Sequence, residues 1–154
     1  MRLILCFLLA ISYPAWGDVI GKVVGVTDGD TLTVLSARKQ IKVRLADIDA
    51  PESKQAFGNR SKQSLSDLCF NKTAKLEGDS KDQYGRILGR VHCDGVDANA
   101  EQVRRGLAWV YVQYAPKGSP LYAVQLGARG AKRGLWADDA PVPPWEWRRP
   151  KGQN

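Results

Sequence analysis

An α+β domain wrapped around a small closed sheet is the fold class this sequence predicts, on three observations. Short segments with strand-like alternation crowd its first half, a stretch of helical period interrupts them after residue 55, and further helical stretches follow the last strand. The strands begin between residues 19 and 34, where alternating, β-branched residues are broken by Thr27-Asp28-Gly29-Asp30. Two strands joined by a tight Asp-Gly turn fit that pattern. A third is expected from residue 40 to about residue 47, with Ile41, Val43 and Leu45 on one face and Lys42 and Arg44 on the other. Pro51 ends it, because proline donates no ladder hydrogen bond.

Residues 55–70 place Phe57, Leu65, Leu68 and Cys69 near one side of a helix, and strand character returns at residues 74–77 and 86–92. Asn99 as N-cap, Gln102 three residues on and Gly106 as a stop signal a second helix. A third follows Pro120 and carries Leu121, Val124, Gln125 and Ala128 toward Gly134. Residues 141–150 are rich in Pro and Trp and are expected to form an extended tail with little helix. No internal repeat is present. This element set suits a five-stranded OB-fold β-barrel with about three helices, whose open face is a habitual nucleic-acid platform. Fold alone does not establish function, so the side chains must.

The chain opens Met1-Arg2, continues with an apolar run over residues 3–11 and reaches Ala15-Trp16-Gly17 before Asp18. That is the pattern of a signal peptide. The apolar run is far shorter than the ~20 residues a bilayer crossing needs. The expected division is residues 1–17 as signal peptide, 18–138 as the folded domain and 139–154 as the tail. An exported monomer follows, periplasmic or secreted, with no stable membrane association after cleavage. Loss of Arg2, the only charged side chain of the leader, takes the formal charge of +7 down by one. The mature protein stays basic and attracts polyanions.

Cys6 leaves with the leader, so Cys69 and Cys93 remain as an even pair in an oxidising compartment, where a disulfide is the natural outcome. Closing that loop stabilises a fold by about 3 kcal/mol in the chain-entropy picture. The alternatives are two buried free thiols, or a metal site that has only His92 to add to them and falls short of four ligands.

His92 is the only histidine, and its place on a strand suits a structural role, which disfavours Ser-His-Asp and multi-histidine zinc chemistry. The sequence also lacks a GxxxxGK[ST] loop and a GxGxxG motif after a strand. Any catalysis therefore falls to carboxylates working with a hard cation. Asp28-Gly29-Asp30-Thr31 and Asp47-Ile48-Asp49-Ala50-Pro51-Glu52 each fit ordinary turn chemistry taken singly. Together they could bring Asp30 and Asp49 to one sheet rim as oxygen donors for Ca²⁺. Arg44 leads into the second cluster and Arg86 follows Asp82-Gln83-Tyr84-Gly85. Their planar guanidinium forks match phosphate oxygens and stay charged at any working pH.

Asp28-Gly29-Asp30-Thr31, Val43-Arg44-Leu45, Asp49-Ala50-Pro51-Glu52, Asp82-Gln83-Tyr84-Gly85-Arg86 and Val103-Arg104-Arg105-Gly106-Leu107-Ala108 occur in that order. In this the chain resembles the staphylococcal-nuclease-like (thermonuclease) family over roughly residues 19–136, and the ordered set is far more specific than any one motif. The resemblance implies an OB-fold, Ca²⁺-dependent endonuclease that cuts DNA and RNA, single-stranded or denatured chains being favoured, and leaves 3′-phosphates. By matching position it implies Asp30 and Asp49 as carboxylate ligands of Ca²⁺, the Ala50 backbone carbonyl as a third ligand, and Glu52 as general base. It implies Arg44 and Arg86 as the catalytic, phosphate-binding arginines, and Tyr84 and Tyr114 beside the substrate. Ala50 stands where the family commonly has threonine and Gln83 where it can have lysine, and neither change touches the catalytic set.

The competing expectation is a non-catalytic OB module that stacks single strands on Tyr84, Trp109, Tyr111 and Tyr114. Carboxylates facing a polyanion repel it unless a cation intervenes, which disfavours pure binding. A structural or adhesive role for the Trp-rich tail finds no repeat to support it.

Overall fold

The computed structural model describes residues 19–150, so the expected leader lies outside the described residues. β1 (Val19–Val26) and β2 (Thr31–Ser36) form the first hairpin, and β3 (Lys39–Leu45) pairs antiparallel with β2. The β2–β3 turn uses Ala37 and Arg38, both at positive φ (46° and 64°). That handedness matches the twist of a two-residue hairpin.

After a turn comes β4 (Ile48–Asp49), then α1 (Gly58–Cys69), β5 (Thr73–Glu77), β6 (Ile87–Cys93) and the short β7 (Val96–Asp97). α2 (Ala98–Arg104), β8 (Trp109–Val110) and α3 (Leu121–Gly130) follow, then a 3-10 turn at Gly134–Ala137 and a one-turn α4 (Pro144–Trp147).

The sheet runs in the order β3-β2-β1-β5-β6-β7, and a parallel pairing of β3 with β6 closes five of these strands into a barrel. Alternation gives each barrel strand an inward face. Val23, Leu32, Val34, Val43, Leu45, Leu76 and Val91 fill the interior, capped by Leu65 and Leu68 of α1 and Val103 of α2. The expected α+β barrel is therefore the observed one, with a fourth, one-turn helix beyond the three predicted. Cys69, at the end of α1, is bonded to Cys93 of β6 and ties the helix to the barrel.

Three expectations need correction. The third strand stops at Leu45, because Asp47 turns the chain at φ 65° and Asp49 belongs to a separate strand, β4, paired antiparallel with β8. α2 is capped by Asp97, whose side chain accepts from the Ala100 N–H at 3.0 Å, whereas Asn99 is buried and accepts from the Val91 N–H at 3.1 Å while donating to the Ala46 carbonyl at 2.9 Å. Both Asp97 and Asn99 satisfy the cap pattern, and the end of β7 decides between them.

The third correction concerns residues 141–150, which fold back onto the body. Trp145 stacks on Tyr111, with centroids 5.4 Å apart and planes 5° from parallel, and meets Trp109 edge-on at 5.8 Å. Gln55 Nε2 donates to the Val142 carbonyl at 2.6 Å.

Candidate active site

The site is assembled from chain reversals at one end of the barrel. Asp30 ends the β1–β2 turn. The Asp28 carboxylate accepts from its N–H at 3.1 Å, and its carbonyl accepts from the Leu45 N–H at 2.8 Å, so its backbone is fixed on both sides. Gly29 is required for space: a Cβ there would lie 1.8 Å from Ser61 Oγ and 2.8 Å from the Ala50 Cβ. Gln102, fully buried, donates to the Gly29 carbonyl at 2.7 Å and to the Ser61 carbonyl at 3.0 Å. It thereby clamps the acidic turn to α1. Gln102→Leu leaves the Gly29 carbonyl without this donor and is expected to cost about 1–3 kcal/mol. Urea unfolding followed by far-UV circular dichroism checks it, and a loss within error of zero would show that the clamp is dispensable.

Arg44 organises the centre. Its face of β3 does not point to open water, and its side chain is only 11% exposed. Nε lies 3.1 Å from Asp30 Oδ1, and one Nη donates to Asp49 Oδ1 at 3.0 Å. The other Nη donates to the carbonyls of Leu45 at 2.5 Å and Ile48 at 2.8 Å. One guanidinium thus spans both carboxylates and staples the β3–β4 turn, leaving little of its fork free. Asp30 Oδ2 accepts from the Ala50 N–H at 2.6 Å. Burial, opposed by Arg44 and reinforced by Asp28, pushes the Asp30 carboxyl up to about 7.

Arg86 comes from the loop before β6. Its Nε donates to Asp82 Oδ2 at 2.7 Å, and one Nη reaches Thr31 Oγ1, beside Asp30, at 3.3 Å. The Asp82 carboxyl also accepts the N–H groups of Tyr84 and Arg86, each at 2.9 Å. Burial disfavours the Asp82 charge, but these donors outweigh it and hold its carboxyl below the usual range. Tyr84 is exposed, with the Arg86 guanidinium 5.4 Å from its ring centroid. Tyr114 is exposed too, edge-on to Tyr111 at 4.8 Å.

Glu52 lies in the loop before α1, with its side chain 42% exposed. It joins the centre through a residue the sequence reading missed. Arg148, from the tail, donates to Asp49 Oδ2 and Glu52 Oε1, each at 2.7 Å. No local signal marks this pairing, because 99 residues separate Arg148 from Asp49. All the predicted site side chains except the two tyrosines therefore fall in one connected network of Asp30, Arg44, Asp49, Glu52 and, through Thr31, Arg86. His92 takes no part in it.

Such a network, carboxylates interleaved with guanidinium groups on a barrel rim, can hold a phosphodiester beside a cation and a base. The family model described as staphylococcal nuclease homologue matches residues 42–138. The chain belongs to this family.

Membership makes it a nuclease, and nucleic acid its substrate class. It is 44% identical over 151 residues to a protein named micrococcal nuclease from Shigella flexneri, covering 92% of this chain and 87% of that one. It is 46% identical over 147 residues to one named uncharacterized endonuclease from Escherichia coli, covering 94% and 95%. A Haemophilus influenzae protein with that same name is 48% identical over 130 residues, covering 83% and 72%.

Staphylococcal nuclease homologues are metal-dependent, and the donor set here suits a hard divalent cation. Asp30 and Asp49 lie within the span of one guanidinium, and the neighbouring Asp28 adds negative charge. Among the described residues no group of three or more His, Cys, Asp or Glu side chains is placed to hold a metal ion, so side chains alone would not complete a shell. Two carboxylates supplemented by backbone oxygen and water suit a cation that shares its shell with phosphate.

Proposed function

We propose that this chain is an exported Ca²⁺-dependent endonuclease that hydrolyses DNA and RNA at the 5′ P–O bond and leaves 3′-phosphates. The observation that carries the proposal is the Arg44 guanidinium bridging Asp30 and Asp49, with Glu52 one further guanidinium away. Asp30, Asp49 and the Ala50 carbonyl would hold Ca²⁺, which when bound draws charge from a phosphate oxygen. Glu52 takes the proton from a water in line with the leaving 5′-oxygen. As negative charge grows on the oxygens of the pentacoordinate phosphorus, the one remaining N–H of Arg44 and the outer edge of Arg86 neutralise it. Tyr84 and Tyr114, both exposed, offer faces to neighbouring nucleotides, which favours denatured or single-stranded substrate.

The amino-terminal signal pattern and the Cys69–Cys93 bond support export to the periplasm or beyond, and the exported chain is read as a monomer without stable membrane association. Among the described residues no helix is long and apolar enough to cross a membrane. Residues 18–138 would form the catalytic domain, with the tail as part of its working surface.

Purified mature protein is expected to degrade denatured DNA and RNA when Ca²⁺ is added and to stop on chelation. Activity that persists undiminished in excess chelator would overturn the metal requirement, and absence of cleavage at every Ca²⁺ concentration would overturn the reading itself.

A further inference from the structure

The site's carboxylates are already engaged by a positive charge from an unexpected source. Arg148 sits between Asp49 and Glu52 with one Nη on each at 2.7 Å, and the Nη on Glu52 also lies 3.3 Å from Asp49 Oδ1. Arg44 holds that same Oδ1 at 3.0 Å. Both oxygens of Asp49 therefore carry guanidinium contacts, and one of the two guanidiniums is half exposed at the mouth of the site.

Arg148 is held there by structure around it. Trp145 is stacked on Tyr111, Val142 is tied to Gln55, and the Arg148 N–H closes α4 by donating to the Pro144 carbonyl at 3.0 Å. Gln55 also accepts from the Glu52 N–H, at 3.1 Å, so one side chain links the Glu52 loop to the tail. The tail is thus anchored on either side of the catalytic loop, with its guanidinium in the space between two of the three site carboxylates.

Resting on the metal reading above, we propose that Arg148 is a built-in counter-cation that sets the site's metal threshold, giving up Asp49 when the divalent ion enters. Two cations competing for one carboxylate are thermodynamically linked: whatever free energy Arg148 loses on release is subtracted from metal affinity. In the absence of metal, Arg148 keeps Asp49 and Glu52 from repelling each other and holds the tail closed. On metal entry it is freed toward the solvent side, where an incoming polyanion can take it up.

The test is Ca²⁺ binding by titration calorimetry on the mature chain without nucleic acid. Arg148→Met is expected to bind Ca²⁺ about 5- to 150-fold more tightly than the unmodified chain, the range typical of coupled sites. Arg148→Lys, which keeps the charge but not the two-pronged contact, should fall between them. Arg149→Met, which removes the same charge next door without touching a site carboxylate, should leave the affinity unchanged and so controls for net charge. In the unmodified chain the Arg148 side-chain N–H signals should lose their protection from solvent exchange at saturating Ca²⁺.

Equal or weaker binding by Arg148→Met, with Asp49→Asn abolishing binding, overturns the proposal and leaves the metal site standing. Retained protection of the Arg148 signals at saturating Ca²⁺ also overturns it, even if the Met variant does not fold. Binding that is indifferent to Asp49→Asn, or absent throughout, overturns the metal reading and the proposal together.

Discussion

Glu52→Gln is expected to slow turnover of denatured DNA by a factor on the order of 10²–10⁴, the usual contribution of a positioned general base. The amide keeps the size and one acceptor oxygen of the carboxylate, so Arg148 retains a partner, but it cannot take a proton from water at working pH. Glu52 is substantially exposed, and its loop is held by backbone contacts: the Gln55 N–H donates to the Glu52 carbonyl at 2.9 Å, and Gly58 packs against that same carbonyl. Stability should therefore change by no more than about 0.5 kcal/mol, as at ordinary surface positions. Single-turnover kinetics beside equilibrium binding of a short oligonucleotide separates the effects: turnover falls and affinity holds. Turnover within a factor of a few of the unmodified protein would remove Glu52 from the role of base.

Arg44→Met should damage the protein in a different way. Asp30 and Asp49, 5% and 2% exposed, lose their shared counter-charge, and the Leu45 and Ile48 carbonyls lose their donor. Breaking a buried ion pair by removing one partner costs about 3–5 kcal/mol. That is a large part of a typical domain's stability of about 5–15 kcal/mol. The urea midpoint should fall markedly with the slope unchanged, and activity should fall at temperatures where the variant is still folded. Arg44→Lys should recover little, because one ammonium cannot bridge two carboxylates and two carbonyls in a plane. A loss under about 1 kcal/mol for Arg44→Met would mean that the carboxylates do not depend on it. Arg44 differs from Glu52 in kind: it must build the site before it can serve it.

The barrel strands and α1 were legible because each follows a local rule. Period-2 alternation puts Leu32, Val34, Val43 and Leu45 inward whatever lies across the barrel. The same local character misled at α2, where Asn99 fits a cap pattern by itself yet is a buried hydrogen-bonder to β6 and to the β3–β4 turn. Gln102 likewise looked like half of a capping box, and it holds the Gly29 carbonyl. Polar side chains that satisfy distant backbone cannot be told from caps until the distant backbone is in place. The acidic clusters and arginines could be named from residue type and order. That Arg44 has most of its donors committed to folding the site could not, because that depends on the turn at Asp47 returning the chain beneath it.

Residue chemistry along the chain was enough to settle a barrel-forming strand pattern and a basic nuclease of one family, and to name candidate acids and guanidiniums that the fold brings together, Arg148 excepted. The packing of remote segments decided the rest: the short β4–β8 pair that carries Asp49, the Gln102 clamp, and the tail that delivers Arg148. The physical reason is range. Alternation and turn preference act over a few residues, whereas Arg148 meets Asp49 because Trp145 docks on Tyr111 and Val142 is held by Gln55, and which faces stay free for that is settled when the whole chain has packed.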